Sequence, residues 1–245
     1  MIVGFMIMHY GSDYAGYAIK SIYDQIDHML VAYAPVPSHG FRSGLSNPDS
    51  REACRNSIYT FGDPKNKIEW VEGAWSDEGK HRSVVWEKYP QSKLVCVIDA
   101  DEVWYPEQFA AVKEFALKTP RNAFKLNLRT PWRSFNWICD DGMAPDRFYM
   151  PGQKGFLVVP REVGIFYHMG YAREAKHVEY KMSCHGHSNE LRRNWFPEKF
   201  LRWEKDKTIA DVHPTCVGIW NPQPFDKNLL PPILRQHPYW SKDII

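Results

Sequence analysis

The chain has 245 residues, with 31 Lys and Arg against 29 Asp and Glu and a net charge of +2. This length fits one large domain, or one domain with an extension, and the near-neutral balance neither requires nor excludes a polyanionic partner. No stretch reaches the ~20 consecutive apolar residues that span a bilayer, and the five cysteines include no C-x-x-C pair, which predicts reduced thiols in a cytoplasmic protein.

The first hundred residues alternate strand patterns with helix patterns. Continuous apolar runs predict buried strands, and apolar residues at helical spacing predict helices. The predicted strands cover residues 2–8, 28–34, 67–71 and 93–98, and the predicted helices cover residues 14–26, 51–59, 77–89 and 106–118. The run at residues 2–8 lacks the basic segment and the cleavage site of a signal peptide, so we interpret it as a strand. This alternation predicts an α/β fold with a mostly parallel sheet and helices on both faces.

The second half of the chain has a different pattern. A strand is predicted over residues 122–130, followed by a loop rich in Trp, Asp and Gly over residues 131–155. Two short strands over residues 156–159 and 164–168 and a helix pair over residues 173–205 come next. We expect the Pro-rich tail from residue 212 to 245 to wrap over the surface.

An acidic motif directly follows the fourth predicted strand. Asp99 and Asp101 stand at its carboxyl end, where open α/β sheets bind their ligands. Residues i and i+2 of an extended segment project to one side, so both carboxylates can reach one cation. Carboxylate oxygens suit Mg²⁺ or Mn²⁺, and a diphosphate leaving group needs such a cation. The alternative is an acidic turn that caps the following helix.

This motif and the start of the chain resemble a known family. VCVIDADEVW (residues 95–104) resembles the D-x-D segment of GT-A fold glycosyltransferases, particularly family 2-like enzymes. VGFMIMHYGSDYAGYAIKSIYDQIDHMLVAY (residues 3–33) resembles their first strand, helix and second strand. The resemblance implies a GT-A-like sheet, with residues 1–130 as the nucleotide-sugar-binding half. Residues 131–245 would form the acceptor-side half and the tail of the same compact domain.

The resemblance also implies roles for single residues of the first half. Asp99 and Asp101 would bind the metal and the donor diphosphate, and Arg82 would face the donor. Near the nucleoside we expect Met8, His9 and Tyr10. The family usually ends its second strand with an Asp that contacts the base or ribose, whereas this strand ends Tyr33-Ala34-Pro35. The nucleotide therefore stays open, with a UDP-sugar as the default.

A histidine of the second half is a candidate third metal ligand. IFYHMGYAR (residues 165–173) resembles a recurrent H-x-x-Y-x-R segment of family 2-like enzymes. The resemblance implies that His168 binds Mn²⁺ or Mg²⁺ with Asp99 and Asp101. Arg173 would pair with a donor phosphate through its planar guanidinium. The alternative for His168 is a histidine packed at the end of a strand.

The remaining candidates concern the acceptor. Most family 2-like enzymes invert the anomeric configuration and use a carboxylate to deprotonate the acceptor. Asp140, Asp141 and Asp146 are the candidate bases, and the alternative is a solvated acidic loop. His185 and His187 are candidates for the rim of the site.

Three classes of function stay open at this stage. A glycosyltransferase would transfer its sugar to a glycan, a lipid, a small metabolite, or duplex DNA with hydroxymethylated pyrimidines, as compact bacteriophage enzymes do. A sugar-phosphate nucleotidyltransferase is less favoured because HYGSDYAG (residues 9–16) lacks the Arg or Lys of its Gly-rich loop. A non-catalytic nucleic-acid-binding module is disfavoured by the near-neutral charge and the lack of a known binding motif. The sequence does not settle the oligomeric state.

Overall fold

The computed structural model describes residues 1–38, 42–140, 142–152, 155–184, 186–242 and 244. Within these residues, the α-helices are α1 (Ala15–Ile22), α2 (Arg51–Ile58), α3 (Glu78–Lys88), α4 (Pro106–Lys118) and α5 (Ala175–Cys184). The strands are β1 (Ile2–Met8), β2 (His28–Tyr33), β3 (Ile68–Glu72), β4 (Leu94–Val97), β5 (Glu102–Trp104), β6 (Ala123–Lys125), β7 (Leu128–Pro131), β8 (Trp137–Cys139), β9 (Asp146–Tyr149), β10 (Phe156–Val158), β11 (Phe166–His168) and β12 (Gln223–Pro224).

Seven strands form the central sheet, in the order β10-β6-β9-β4-β1-β2-β3. The pairs β1·β2, β2·β3, β1·β4 and β6·β10 are parallel, whereas β9 runs antiparallel to both β4 and β6. The fold is therefore α/β with a mostly parallel sheet, as predicted. The division of the chain at residue 130 stays a prediction, and β9 and β10 enter this sheet from beyond that point.

Alternating residues of the strands face two different cores. In β4, Leu94 and Cys96 belong to the core under α1 and α4, whereas Val95 and Val97 belong to the core under α3. Successive side chains of a strand point to opposite faces of its sheet, so helices cover both faces. This arrangement confirms the prediction of helices on both faces.

Local sequence signals explain where several helices begin. Ser50 and Asp77 cap α2 and α3, since their side chains accept hydrogen bonds from the backbone N–H groups of Ala53 (3.0 Å) and Lys80 (2.8 Å). Pro106 occupies the first turn of α4, where its missing N–H is not needed. These caps place the helix starts within one residue of the predicted positions.

A second sheet positions the histidine of the H-x-x-Y-x-R segment. Its order is β12-β8-β7-β11-β5, and β5 begins at Glu102, directly after the acidic motif. β5 pairs antiparallel with β11 in a register that sets His168 opposite Glu102. The backbone N–H of Met169 also donates to the carbonyl of Asp101 at 2.7 Å. Strand pairing therefore brings His168 beside Asp101.

The predicted strand over residues 122–130 is wrong as a single element. β6 lies in the central sheet and β7 in the second sheet. Between them the N–H of Leu126 donates to the carbonyl of Pro145 (3.0 Å), and the Asn127 side chain donates to the carbonyl of Val159 (2.8 Å). The chain changes sheets without a Gly or Pro, so no turn residue marks the change in the sequence.

Two further predictions of the second half need correction. The predicted loop over residues 131–155 contains β8 and β9, which have three and four residues and are too short for a periodic pattern. Where a helix pair was predicted over residues 173–205, the described residues form one α-helix, α5, followed by 3-10 turns at Ser188–Glu190 and Arg202–Glu204 and a π-helical turn at Phe196–Leu201.

The tail is part of the core as well as of the surface. Leu230 and Leu234 are fully buried. The ring of His237 stacks on Tyr14 with centroids 4.4 Å apart, and its Nε2 donates to the carbonyl of Asp13 at 2.9 Å. The His237 ring also packs on Tyr17 of α1, with centroids 4.7 Å apart. The tail therefore covers the start of α1, which corrects the prediction of a purely superficial wrap.

Two predictions from composition have structural outcomes. All five cysteines are free, as expected. Among the described residues, no helix combines the length and the apolar character that crossing a membrane requires.

Candidate active site

A cleft of about 400 Å³ opens where the order of the parallel strands reverses. From β1 the chain continues to β2 and β3 on one side, and it returns to β4 on the other side. Such a switch point leaves a crevice at the carboxyl ends of the strands. The cleft is lined by residues that follow β1 and β4, together with cationic and polar side chains of the surrounding elements: Met8, His9, Tyr10, Gly11, Glu78, Arg82, Asp99, Asp101, Arg147, His168, Arg173, Lys181 and His187.

Asp101 lies at the centre of the charged groups in this cleft. Its Oδ2 is 3.3 Å from Nζ of Lys181, 3.7 Å from Nε2 of His168 and 3.7 Å from a terminal nitrogen of Arg173. Burial by itself would raise the pKa of Asp101, but the charges of Lys181 and Arg173 outweigh burial and hold this pKa well below its usual range. Asp101 is therefore an ionised, buried carboxylate.

His168 is the neutral partner of this carboxylate. Burial, together with the nearby charge of Lys181, lowers the pKa of His168 to about 4. Nζ of Lys181 lies 3.2 Å from Nε2 of His168, and because an ammonium only donates, Nε2 is the acceptor. His168 therefore presents a lone pair toward the same point as the Asp101 carboxylate.

Asp99 has a different partner. Its Oδ2 accepts a 2.7 Å hydrogen bond from Arg147 of β9, whose guanidinium also donates to Glu102 at 2.6–2.9 Å. Burial raises the pKa of Glu102 to about 7, against the lowering effect of Arg147. In the part of the chain that the structure describes, no group of three or more His, Cys, Asp and Glu side chains is arranged to hold a metal ion. The three-ligand set of Asp99, Asp101 and His168 therefore stays a prediction.

Asp101 and His168 nevertheless offer a suitable pair of donor atoms for a divalent cation. An oxygen and an imidazole nitrogen suit Mn²⁺, and donor oxygens and water can complete its coordination. Gly170 adds no side chain at this point, where a Cβ would lie 2.6 Å from Nε2 of His168 and 2.8 Å from Oδ2 of Asp101, and would also meet Nζ of Lys181. The residues present thus fit a cation held from two sides.

The residues predicted near the nucleoside line the cleft beyond β1. The ring of His9 donates from Nδ1 to the carbonyl of Ala34 (2.8 Å), and its Nε2 contacts the Tyr180 hydroxyl (2.7 Å). Tyr10 packs edge-on against Tyr180, with ring centroids 5.5 Å apart. These contacts fix the orientation of His9 and Tyr10 in the wall of the cleft, next to Met8.

The two arginines predicted to face the donor also line the cleft, each with a carboxylate partner. Arg82 pairs with Glu78 of the same helix, α3, at 2.7 Å, and both side chains are half-buried. Arg173 is fully buried and pairs with Asp13, while one of its nitrogens faces Asp101. Burial opposes the charge of Arg173, but Asp13 and Asp101 raise its pKa above the ordinary value, so the group stays charged.

Asp49 was missed by the sequence analysis. Its buried carboxylate accepts hydrogen bonds from the backbone N–H groups of Gly11 (2.6 Å) and Ser12 (3.0 Å), from the Ser12 hydroxyl (2.7 Å) and from the ring of His177 (3.3 Å). Burial by itself would raise the pKa of Asp49, but these hydrogen bonds hold it below its usual range. Asp49 therefore shapes the loop after β1. The only sequence signal is its place in the Pro- and Gly-rich segment before α2.

Two of the three candidate bases lie apart from the cleft, and the third lies outside the described residues. Asp140 pairs with Arg129 (2.8 Å) and with Arg161, and Asp146 starts β9. Neither of them belongs to the walls of the cleft or of the second cavity described next. Asp141 and the rim candidate His185 lie outside the described residues. A catalytic role for these aspartates stays a prediction.

A second cavity of about 420 Å³ adjoins the cleft. Four side chains line both spaces: Arg147, His168, Lys181 and His187. The other walls are mainly apolar or aromatic, and they include Leu128, Met143, Pro145, Tyr171 and Trp220. His187, predicted at the rim, contacts Glu190 through Nδ1 at 3.0 Å. Two molecules bound in the two spaces would meet at the four shared side chains.

Comparisons with known proteins give similarities in structure alone. No protein-family model matches the chain, and no curated protein matches it. The chain is similar to residues 1–349 of S. aureus TarS, with a TM-score of 0.41 and 10% identity over 85% of this chain and 73% of that one. It is also similar to glucosyl-3-phosphoglycerate synthase from Mycobacterium tuberculosis, solved with Mn²⁺, UDP and phosphoglyceric acid, with a TM-score of 0.35 and 13% identity over 52% of this chain. The aligned part spans 43% of that enzyme, less than half of its length.

Proposed function

We propose that this chain is a glycosyltransferase that takes a sugar from a nucleotide-sugar bound in the switch-point cleft. The observation that carries the proposal is the convergence of Asp101, neutral His168, Lys181 and Arg173 at the carboxyl ends of β1 and β4. A cleft with an ionised carboxylate, an imidazole lone pair and two cationic side chains suits a diphosphate and its counter-ion. The resemblance of residues 95–104 to the D-x-D segment supports the same function.

The residues divide the cleft into a nucleoside end and a diphosphate end. Met8, His9 and Tyr10 would hold the nucleoside, with UDP as the default. Asp101 and His168, with Asp99 as the predicted third ligand, would hold Mn²⁺ or Mg²⁺, which when bound stabilises the negative charge of the departing diphosphate. Arg173 stays charged at neutral pH and, with Arg82, would add fixed positive charge beside the phosphates.

The acceptor would occupy the second cavity. Its apolar and aromatic walls suit the flat face of a sugar or a base, and the four shared side chains border both substrates. Hydroxymethylated duplex DNA stays among the predicted acceptors, with glycans, lipids and small metabolites. An inverting reaction would need a carboxylate near the acceptor hydroxyl. Asp140, Asp141 and Asp146 are the candidates predicted from sequence, but Asp140 and Asp146 do not line this cavity.

The experiment measures nucleotide release from a panel of nucleotide-sugars with Mn²⁺, with Mg²⁺ and with EDTA. Each donor is tested alone and with hydroxymethylated duplex DNA, a glycan, a lipid or a small hydroxyl compound. Asp101→Asn removes the central charge of the cleft. Asp24→Asn is the matched control, because Asp24 is an exposed carboxylate that pairs with Lys65.

Release that Asp101→Asn abolishes and Asp24→Asn retains would support the proposal and identify the donor. The proposal fails if no nucleotide-sugar is turned over and none binds by calorimetry. Release of pyrophosphate from a nucleoside triphosphate and a sugar phosphate would instead indicate nucleotidyl transfer.

A further inference from the structure

Lys181 occupies the point toward which Asp101 and His168 both face. It lies on α5, and its Nζ is 3.3 Å from Oδ2 of Asp101 and 3.2 Å from Nε2 of His168. The same ammonium stands 5.0 Å from the centre of the Tyr171 ring. The two atoms that Lys181 bridges are the two atoms proposed to hold a divalent cation.

An ammonium and a divalent cation cannot share this point. A cation coordinated by Asp101 and His168 would stand roughly 2.0–2.2 Å from each donor atom. Because the present distances from Nζ to these atoms are 3.2 and 3.3 Å, such an ion would fall within contact distance of the ammonium. Its positive charge would also repel Lys181 in a buried site, where charges are weakly screened.

The surroundings allow Lys181 to leave. Its side chain lines both the cleft and the second cavity, so its four-carbon stem borders open space on two sides. Arg173, the other cation near Asp101, is held by Asp13 and is fully buried, so it is fixed in place. Of the two cations beside Asp101, Lys181 is therefore the displaceable one.

We propose that Lys181 is a tethered counter-ion that takes the position between Asp101 and His168 and competes there with a divalent metal ion. This inference rests on the cation site of the proposed function. With Lys181 in this position, the affinity of the protein for the free metal ion is lower than Asp101 and His168 alone would give. It also frees a positive charge for a phosphate in the cleft once the metal has bound.

The test measures Mn²⁺ binding to the protein without nucleotide, from the electron paramagnetic resonance signal of free Mn²⁺. Lys181→Met removes the charge and keeps the apolar stem. Lys176→Met is the matched control on the same helix, because Lys176 is exposed and pairs with Glu174. We expect Lys181→Met to bind Mn²⁺ at least about tenfold more tightly than the wild type, since it removes a competing charge. Lys176→Met should match the wild type.

A second pair of variants assigns the effect to this site. Adding Asp101→Asn to Lys181→Met should remove the gain in affinity. Gly170→Ala should abolish Mn²⁺ binding, because its methyl group would fill the point between Asp101 and His168. Urea unfolding of every variant confirms that each is folded. Equal Mn²⁺ affinity in the wild type and Lys181→Met, or no binding by either at millimolar Mn²⁺, would overturn the inference.

The outcome separates this inference from the proposed function, because nucleotide release is measured on the same proteins. If the wild type turns over a nucleotide-sugar but Lys181→Met leaves Mn²⁺ affinity unchanged, the transferase proposal stands and the inference on Lys181 falls. If Lys181→Met gains Mn²⁺ affinity but no nucleotide-sugar binds or reacts, the cation site with its counter-ion stands and the transferase proposal falls.

Discussion

Replacing Asp49 by alanine removes the acceptor that shapes the loop after β1. The backbone N–H groups of Gly11 and Ser12 donate to Oδ2 of Asp49 at 2.6 and 3.0 Å, and alanine leaves both without a partner. A buried donor without an acceptor costs about 1–3 kcal/mol, and the N–H of Ser12 is only partly buried. We therefore expect Asp49→Ala to lower the free energy of unfolding by about 3 kcal/mol, a large part of the ~5–15 kcal/mol that stabilises most domains.

Asp49→Asn is the matched variant, because its amide oxygen can accept from both N–H groups while the negative charge is lost. We expect it to cost about 1 kcal/mol, the difference between a charged and a neutral acceptor. Urea unfolding at pH 7 measures both losses. Calorimetric titration with UDP measures the affinity of the cleft for a nucleotide. Asp49→Ala should weaken UDP binding at least about tenfold, since residues 9–11 line the cleft. A loss below about 1 kcal/mol in the alanine variant, or equal losses in both variants, would refute this account of the loop.

Three further predictions concern the buried groups around the site and the tail. Arg147→Met should cost about 3–5 kcal/mol in urea unfolding, because it leaves Glu102 buried without its cation, and adding Glu102→Gln should recover part of the loss. Leu234→Ala should cost about 2–5 kcal/mol, since Leu234 is fully buried, and a loss below 1 kcal/mol would show that the tail is not part of the core. Burial lowers the pKa of His237 to about 4, whereas an unfolded histidine titrates near 6.5, so the unfolded chain binds more protons between these values. Stability should therefore fall as the pH is lowered from about 6.5 to 4, and His237→Gln, compared with the wild type at pH 5 and pH 7.5, should show a smaller fall.

The first half of the fold follows from sequence because its elements are long and regular. β1, β2 and β4 are continuous apolar runs, and the helices between them have apolar residues at helical spacing. The predicted and observed boundaries of α4 coincide at Pro106–Lys118, where a proline marks the start. Such signals depend only on neighbouring residues, so they can be recognised in a single sequence.

The second half depends on contacts between distant parts of the chain. β9 has four residues, and of these only Phe148 is buried, so nothing in its sequence marks it as a strand of the central sheet. Its place there is set by pairing with β4 and β6. The same holds for the change of sheet between β6 and β7.

The candidate site also contains residues that sequence motifs predict and residues that they do not. Asp101 and His168 were predicted from motifs at strand ends, and the structure brings them within 3.7 Å of each other. Lys181, Arg147 and Asp49 carry no such motif. Lys181 and Arg147 line the cleft, and Asp49 holds the loop after β1 beside it. Each comes from a segment whose position is fixed only by tertiary packing, so sequence patterns alone could not select them.

The contact of the tail with α1 has a consequence for the order of folding during synthesis. His237 and Asp13 are separated by 224 residues, and the Tyr17 hydroxyl donates to the carbonyl of Gln236, 219 residues later. A ribosome that adds about 5–20 residues per second makes α1 roughly ten to forty-five seconds before the tail segment that covers it. Throughout that interval Tyr14 and the face of α1 that carries Tyr17 are available to chaperones. The loop at Asp13 and the cleft beside it reach their final form only after His237 has been made.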